Sequence, residues 1–284
     1  TSEQSALTMA VAASKKALAG EKLAITEIDL IICSTSTPME ITPSLACALH
    51  AELCAGYQPS NLIAYDILAA CSGYIYALSA AFDFLQSNPE GKVMVITAEA
   101  MSRILNPADF DTAILFGDAA TATILDGHSS WRRGMAFLHR PVISAKPDYE
   151  RSLRVAGPGS GFVEMQGKRV FGEAVRTMID ILEQACAKSG LALADLDLII
   201  PHQANGRIIE AVRARLGGSV ADRVVNNMRN RGNTASSTIP VCLAELNGQL
   251  APEVKVGLCT FGGGFTFGAA IMEMRNGGRI LIQP

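Results

Sequence analysis

Leu23-Ala24-Ile25-Thr26-Glu27-Ile28-Asp29-Leu30-Ile31-Ile32 and Leu193-Ala194-Asp195-Leu196-Asp197-Leu198-Ile199-Ile200 are two versions of one phrase. Each closes a helix-then-strand unit, over Ser14–Ile32 in the first case and Cys186–Ile200 in the second. Each also ends in a short, unbroken apolar run, the pattern of a buried strand. A repeat separated by well over a hundred residues indicates duplication of a whole domain, not a solenoid.

Working outward, helical spacing predicts helices over Thr8–Ala19, Pro43–Cys54, Cys71–Gln86, Val170–Ser189, Ile208–Leu216 and Ser236–Asn247. Strands are predicted over Ile28–Cys33, Leu62–Asp66, Val93–Thr97, Leu196–Ile200, Val254–Thr260 and Thr266–Met274. Thr121–Leu125 is expected to pair with a segment near Gly134–Leu138. Alternating strands and helices give an α/β layered fold. Pro141 to Phe162, rich in Pro, Gly and Ser, marks a boundary between an N-terminal half, 1–150, and a C-terminal half, 151–284.

Composition narrows the class. The 284 residues are 49% hydrophobic and 18% charged, which excludes a disordered chain. No apolar run reaches the roughly 18 residues that span a bilayer. Thr1-Ser2-Glu3-Gln4 has no basic stretch leading into an apolar core, so the reading is a cytoplasmic protein away from membranes. The seven cysteines (33, 47, 54, 71, 186, 242 and 259) form no CxxC pair, which argues for reduced thiols over disulfides or zinc. Residues 1–150 carry 9 Lys+Arg against 16 Asp+Glu, and residues 151–284 carry 15 against 11. Arg207, Arg213, Arg215, Arg223, Arg229 and Arg231 crowd one stretch of the second half. Without interleaved aromatics they argue against nucleic acid, and an acidic or phosphate-bearing partner fits them better.

Chemistry concentrates at strand-to-helix junctions. In Asp66-Ile67-Leu68-Ala69-Ala70-Cys71-Ser72-Gly73 a strand runs through small residues into a helix. A thiol there lies at a helix N-terminus, where free amides and the macrodipole are expected to favour the nucleophilic thiolate. Pro201-His202-Gln203-Ala204-Asn205-Gly206-Arg207 places a histidine directly after the second copy of the repeated strand, on the functional edge of an α/β sheet. Arg231-Gly232-Asn233-Thr234-Ala235-Ser236 places an asparagine before a helix, and taken alone is an ordinary cap. Phe261-Gly262-Gly263-Gly264-Phe265 follows a strand, and reads either as a tight turn or as backbone offering N–H groups to an oxyanion.

Together with Phe116-Gly117-Asp118-Ala119-Ala120, these blocks resemble, in order and spacing, the β-ketoacyl-acyl carrier protein synthase III family of the thiolase superfamily. The resemblance implies a thiolase-like five-layer α-β-α-β-α fold built from two pseudo-duplicated halves. It implies Cys71, His202 and Asn233 as the catalytic residues, within hydrogen-bond reach of one another, and the amides of Cys71 and Gly263 as an oxyanion hole. The implied reaction is decarboxylative Claisen condensation of an acyl thioester, held on Cys71, with a malonyl thioester. Acyl-CoA and acyl carrier protein are the implied partners, with a homodimer as the assembly and no metal or redox cofactor. The segment Thr37–Ser44 would border the partner's acyl pocket, and Thr42 within it stands where acetyl-preferring members carry phenylalanine. Asn205 and Arg207 would line the pantetheine tunnel as substrate-binding residues, and Arg207, Arg213 and Arg215 would dock the carrier protein. Other readings are a non-elongating acyltransferase, a ring-forming ketosynthase of secondary metabolism, or a catalytically silent partner subunit. The family pattern has an additional N-terminal segment holding the first core strand and the groups that clamp coenzyme A adenine. This chain starts at the helix after that segment, so the expectation is a fragment of a longer or multidomain polypeptide or a divergent form, and the tail Arg275–Pro284, running past the usual end, is compatible with a following domain.

Overall fold

The computed structural model describes residues 4–56, 62–127, 136–155 and 161–275, and the backbone of 282–283. The first half runs α1 (Ala6–Glu21), β1 (Leu30–Ser34), α2 (Leu45–Leu53), β2 (Ile63–Ile67), a 3-10 turn at Ala70–Ser72, α3 (Gly73–Ser87), β3 (Lys92–Glu99), the short α4 (Phe110–Ala113) and β4 (Ala119–Asp126). Next come β5 (Ala136–Leu138), β6 (Val142–Ala145), β7 (Leu153–Val155), β8 (Val163–Met165) and α5 (Gly167–Lys188). The chain continues through β9 (Leu198–Pro201), α6 (Gly206–Leu216), α7 (Gly218–Ala221) and α8 (Met228–Arg231). A second 3-10 turn (Ala235–Ser237) leads into α9 (Thr238–Glu245), β10 (Lys255–Gly262), β11 (Thr266–Met274) and β12 (Ile282–Gln283).

Two sheets carry the duplication. The first has the order β12-β4-β3-β1-β2, and the second β5-β11-β10-β9 with β6 also on β11. In the first, β3 runs parallel to β1 and antiparallel to β4. In the second, β10 runs parallel to β9 and antiparallel to β11. Lys92 N and Lys255 N, at the starts of β3 and β10, are anchored alike, each donating to an aspartate (Asp29 and Asp197) at 2.8 Å. The two sheets sandwich α3 and α9, while α1 and α2 cover one outer face and α5 and α6 the other. That is the five-layer thiolase-like architecture.

The unbroken apolar strands explain the layering. Leu30 and Ile32 pack inward with Ile75, Leu78, Ile239 and Leu258, whereas Ile31 and Cys33 pack outward beneath α1. Consecutive side chains of a strand point to opposite faces, so a strand buried on both needs apolar residues at every position. On the far side Val170, Met178, Ile181 and Leu182 of α5 seal Ile199 and Phe261.

Two sequence expectations change. β4 does not pair with β5. β4 lies against β3 and β12, and β5 pairs with β11 of the other sheet. The chain therefore passes between sheets ahead of the 150/151 boundary read from composition, because sheet membership follows backbone pairing, to which Pro and Gly content is blind. β12, from the end of the chain, takes the edge of the first sheet equivalent to that held by β6 in the second. Residues 276–281 of the tail lie outside the described residues.

Candidate active site

Cys71 sits on the 3-10 turn that feeds α3, two residues ahead of that helix, whereas spacing predicted the helix to begin at Cys71 itself. Ala70, just before it, has φ 47°, a left-handed conformation that a side chain adopts only at a cost in strain. The turn is tied down from the second half. Thr260 Oγ1 donates to the Cys71 carbonyl at 3.0 Å, Ser72 Oγ to Thr266 O at 3.0 Å, and Thr266 Oγ1 to Ala69 O at 2.9 Å. A Cβ on Gly73 would stand 1.8 Å from Ser34 Oγ, so only glycine lets α3 start this close to β1. A Cβ on Gly262 would stand 2.9 Å from Cys71 N, so the bare end of β10 leaves the Cys71 amide uncovered.

His202 follows β9, where its amide donates to Cys259 O at 2.7 Å. Its ring is buried, and Nδ1 lies 2.7 Å from the hydroxyl of Thr238 on α9. In the tautomer in which Thr238 donates, Nδ1 is the acceptor and Nε2 carries the proton. Burial pushes His202 down to about 3, so the imidazole is neutral at physiological pH. Gln203 serves structure, bonding Pro201 O at 2.7 Å and accepting from Asn227 N at 2.9 Å.

Asn233 is held from both sides. Its backbone forms a bridge to Phe116, with Asn233 N donating to Leu115 O at 2.7 Å and Gly117 N to Asn233 O at 3.0 Å. The Phe116-Gly117 block thus locates an asparagine far away in sequence. Asn233 Oδ1 accepts from Ala235 N at 2.9 Å, which leaves Nδ2 as the free donor.

Cys71, His202, Asn233 and Gly263 all line one cavity of about 1320 Å³, walled by Met101, Ile104, Phe116, Leu153, Val155 and Val163. Among the described residues no hydrogen bond joins the three polar side chains. They were expected in mutual contact, but instead line a common space. The expected thiolate is also corrected. Burial, reinforced by the Glu99 carboxylate, pushes the Cys71 thiol up to about 12 against the opposing pull of its own backbone amide. Desolvation outweighs the helix terminus, and the resting group is a thiol.

The description 3-oxoacyl-acyl-carrier-protein (ACP) synthase III matches residues 65–139, and that family's C-terminal model matches 186–274. β-Ketoacyl-acyl-carrier-protein synthase III of Nitratidesulfovibrio vulgaris is 39% identical, over 95% of this chain and 83% of its own length. The chain belongs to the 3-oxoacyl-acyl-carrier-protein synthase III family. The Oleidesulfovibrio alaskensis synthase III is 37% identical over 92% of this chain and 82% of that protein. The crystal structure of the Aquifex aeolicus synthase III superposes with a TM-score of 0.86 at 34% identity, covering 95% of this chain and 85% of that one. The priming β-ketosynthase of a polyketide biosynthetic pathway gives 0.84 at 29% identity, covering 97% and 83%.

Within this synthase III fold the other residues singled out from the sequence divide. Asn205 and Arg207 line the cavity. Asn205 Oδ1, however, is taken up by capping α6, accepting from Ile208 N at 2.8 Å, so its Nδ2 is what remains for a ligand. Arg213 pairs with Glu210 at 3.4 Å and lies 4.0 Å from Asp222, so its charge is partly neutralised, while Arg215 is exposed. Thr42 is exposed and does not line this chain's cavity, although its neighbours Glu40 and Ile41 do. Sequence reading missed Glu99, Thr238 and Ser236, all buried. Extending the repeated phrase further along both halves would have set Ala235-Ser236-Ser237 beside Ala70-Cys71-Ser72. Among the described residues no cluster of His, Cys, Asp and Glu could hold a metal ion, and no helix is long and apolar enough to cross a membrane.

Proposed function

We propose that the chain performs the decarboxylative condensation of an acyl thioester with a malonyl thioester, using Cys71 as nucleophile and His202 and Asn233 as hydrogen-bond donors. The observation that carries this reading is the convergence of a thiol, a neutral buried imidazole and an asparagine Nδ2 on one apolar cavity. The Cys71 sulfur attacks the thioester carbonyl, and its proton leaves with the departing thiol, so the exchange balances without an external base. The Cys71 and Gly263 amides receive the transient oxyanion. The malonyl thioester then loses CO2. His202 Nε2–H and Asn233 Nδ2–H stabilise the negative charge on its thioester oxygen, and the enolate carbon attacks the acyl-Cys71 carbonyl, breaking the C–S bond to Cys71, whose thiolate leaves and takes a proton from water as the β-ketoacyl thioester forms. These steps need no metal or redox cofactor. Loading the protein with an acyl thioester, locating the acyl group by mass spectrometry and then measuring CO2 release from a malonyl thioester tests the reading. An acylated Cys71 with no CO2 release would favour plain acyl transfer.

The assembly reads as a homodimer. β2 is an edge strand with Ile63 and Tyr65 exposed, and Met39, Ile41 and Leu68 stand uncovered nearby at the cavity mouth. Such an edge invites pairing with a second copy. Thr42 would then border the partner's acyl pocket, and its small side chain admits acyl chains longer than acetyl. Medium-chain thioesters are expected to acylate Cys71 at least as well as acetyl thioester, and a strong acetyl preference counts against this assignment.

Arg207, at the cavity mouth, and Arg215, with Arg213 contributing less, form the basic face proposed to receive an acidic acyl carrier protein, with acyl-CoA as the alternative donor. Exposed charges act within a Debye length of about 8 Å near physiological salt. Reversing Arg207 and Arg215 to glutamate is expected to raise the apparent KM for carrier-protein substrates while barely changing turnover of a short pantetheine thioester. Equal effects on both substrates would remove the docking face.

A further inference from the structure

The duplication repeats the nucleophile's turn, and the second copy is filled. Cys71 and Ser236 occupy the same place, each on a 3-10 turn (Ala70–Ser72 and Ala235–Ser237) that runs into a central helix. Each follows an alanine in the left-handed region, Ala70 at φ 47° and Ala235 at φ 49°. β3 and β10 are equal in length, and their last residues, Glu99 and Gly262, correspond. Gly262 leaves the Cys71 amide bare. Glu99 instead places a fully buried carboxylate against the equivalent turn. Ser236 Oγ donates to Glu99 Oε1 at 2.6 Å, Ser36 N to Oε2 at 2.9 Å and Thr37 Oγ1 to Oε2 at 3.2 Å. Burial raises the Glu99 carboxyl to about 7, against the opposing pull of these hydrogen bonds and of the Ser236 backbone amide. Thr37 Oγ1 also accepts from Ala100 N at 2.8 Å, which holds the hydroxyl in place to donate to Glu99. No cation pairs with Glu99 among the described residues.

We propose that Glu99 is a positioning residue whose carboxylate is the built-in acceptor of this second, pseudo-symmetric hole, fixing the Ser236 turn and through it the catalytic placement of Asn233. This rests on the role given to Asn233 above. The donors converge on one group, and only an acceptor on both oxygens satisfies them all. A glutamine would turn an NH2 toward donors that include a backbone amide unable to rotate away. Asn233 lies just before the turn and takes its own side-chain bond from Ala235 N within it, so a shift of Ser236 is passed to the amide. The ties that hold Cys71 run to Thr260 and Thr266 and do not involve Glu99. Losing the Glu99 charge removes one cause that raises the Cys71 thiol, so it does not slow self-acylation.

The test uses the full chain carrying Glu99→Gln or, as a milder change that removes one hydroxyl, Ser236→Ala. Misplacing a catalytic group by about 1 Å can cost on the order of 100-fold, so decarboxylation of a malonyl thioester is expected to fall at least about tenfold in Glu99→Gln. Ser236→Ala is expected to fall less, in the same direction. KM for the malonyl thioester should stay near the parent value, and Cys71 self-acylation should match or exceed it. A parallel loss of self-acylation and decarboxylation would make Glu99 a general structural residue and overturn the proposal, as would unchanged decarboxylation in both variants. Asn233→Ala, run beside them, separates the two readings. Unchanged decarboxylation there removes the Asn233 role itself, whereas a loss there without one in Glu99→Gln or Ser236→Ala removes only the role of Glu99.

Discussion

Asn233→Ala is expected to leave Cys71 self-acylating normally while condensation falls by roughly 100- to 1,000-fold, the usual loss when one preorganised oxyanion donor is removed. The split follows from the geometry. Asn233 Oδ1 is already engaged by Ala235 N, so the amide offers the substrate only its Nδ2 donor. That donor is useful where negative charge grows on the malonyl thioester oxygen, and contributes little to thiol exchange at Cys71. The backbone bridge to Phe116 does not depend on the side chain, so the turn survives the substitution. Intact-protein mass spectrometry reads the acyl-enzyme, and CO2 release with product formation reads the second half-reaction. Condensation at the parent rate would show that His202 suffices and that the asparagine is only a cap.

Cys71→Ala is expected to abolish acyl transfer altogether, because among the described residues no other thiol lines the cavity. Malonyl decarboxylation should persist in this variant, since His202 and Asn233 remain in place. The state of the thiol can be read separately. A group raised to about 12 holds its proton across the working range and releases it only as pH approaches that value. Alkylation of Cys71 by iodoacetamide is therefore expected to keep accelerating through about pH 10. A plateau near neutrality would mean that the helix terminus prevails over burial and that the nucleophile rests as thiolate. Retention of acyl transfer by Cys71→Ala would remove it from the mechanism.

Much of this was legible in the chain. The unbroken apolar strands specified burial on both faces, hence sheets sandwiched between helices, because a strand side chain has nowhere else to point. The Asp29-Leu30-Ile31-Ile32 and Asp197-Leu198-Ile199-Ile200 phrases announced the duplication. The aspartates turned out to anchor equivalent strands. Cys71, His202 and Asn233 were named from their local settings and their resemblance to a family, and those settings are local because each lies at a strand-to-helix junction.

What the chain alone could not decide were the terms that depend on neighbours distant in sequence. Helix position argued for a thiolate at Cys71, but desolvation scales with how much protein surrounds the sulfur, and only the packing of the two halves around the turn supplies that. Pro and Gly content placed a boundary near 150, whereas strand pairing sent β5 and β6 to the second sheet. No motif in the sequence singled out Glu99. Its partners are Ser36, Thr37 and Ser236, the last from the other half, so its burial and its hydrogen bonds exist only after the two halves have packed together.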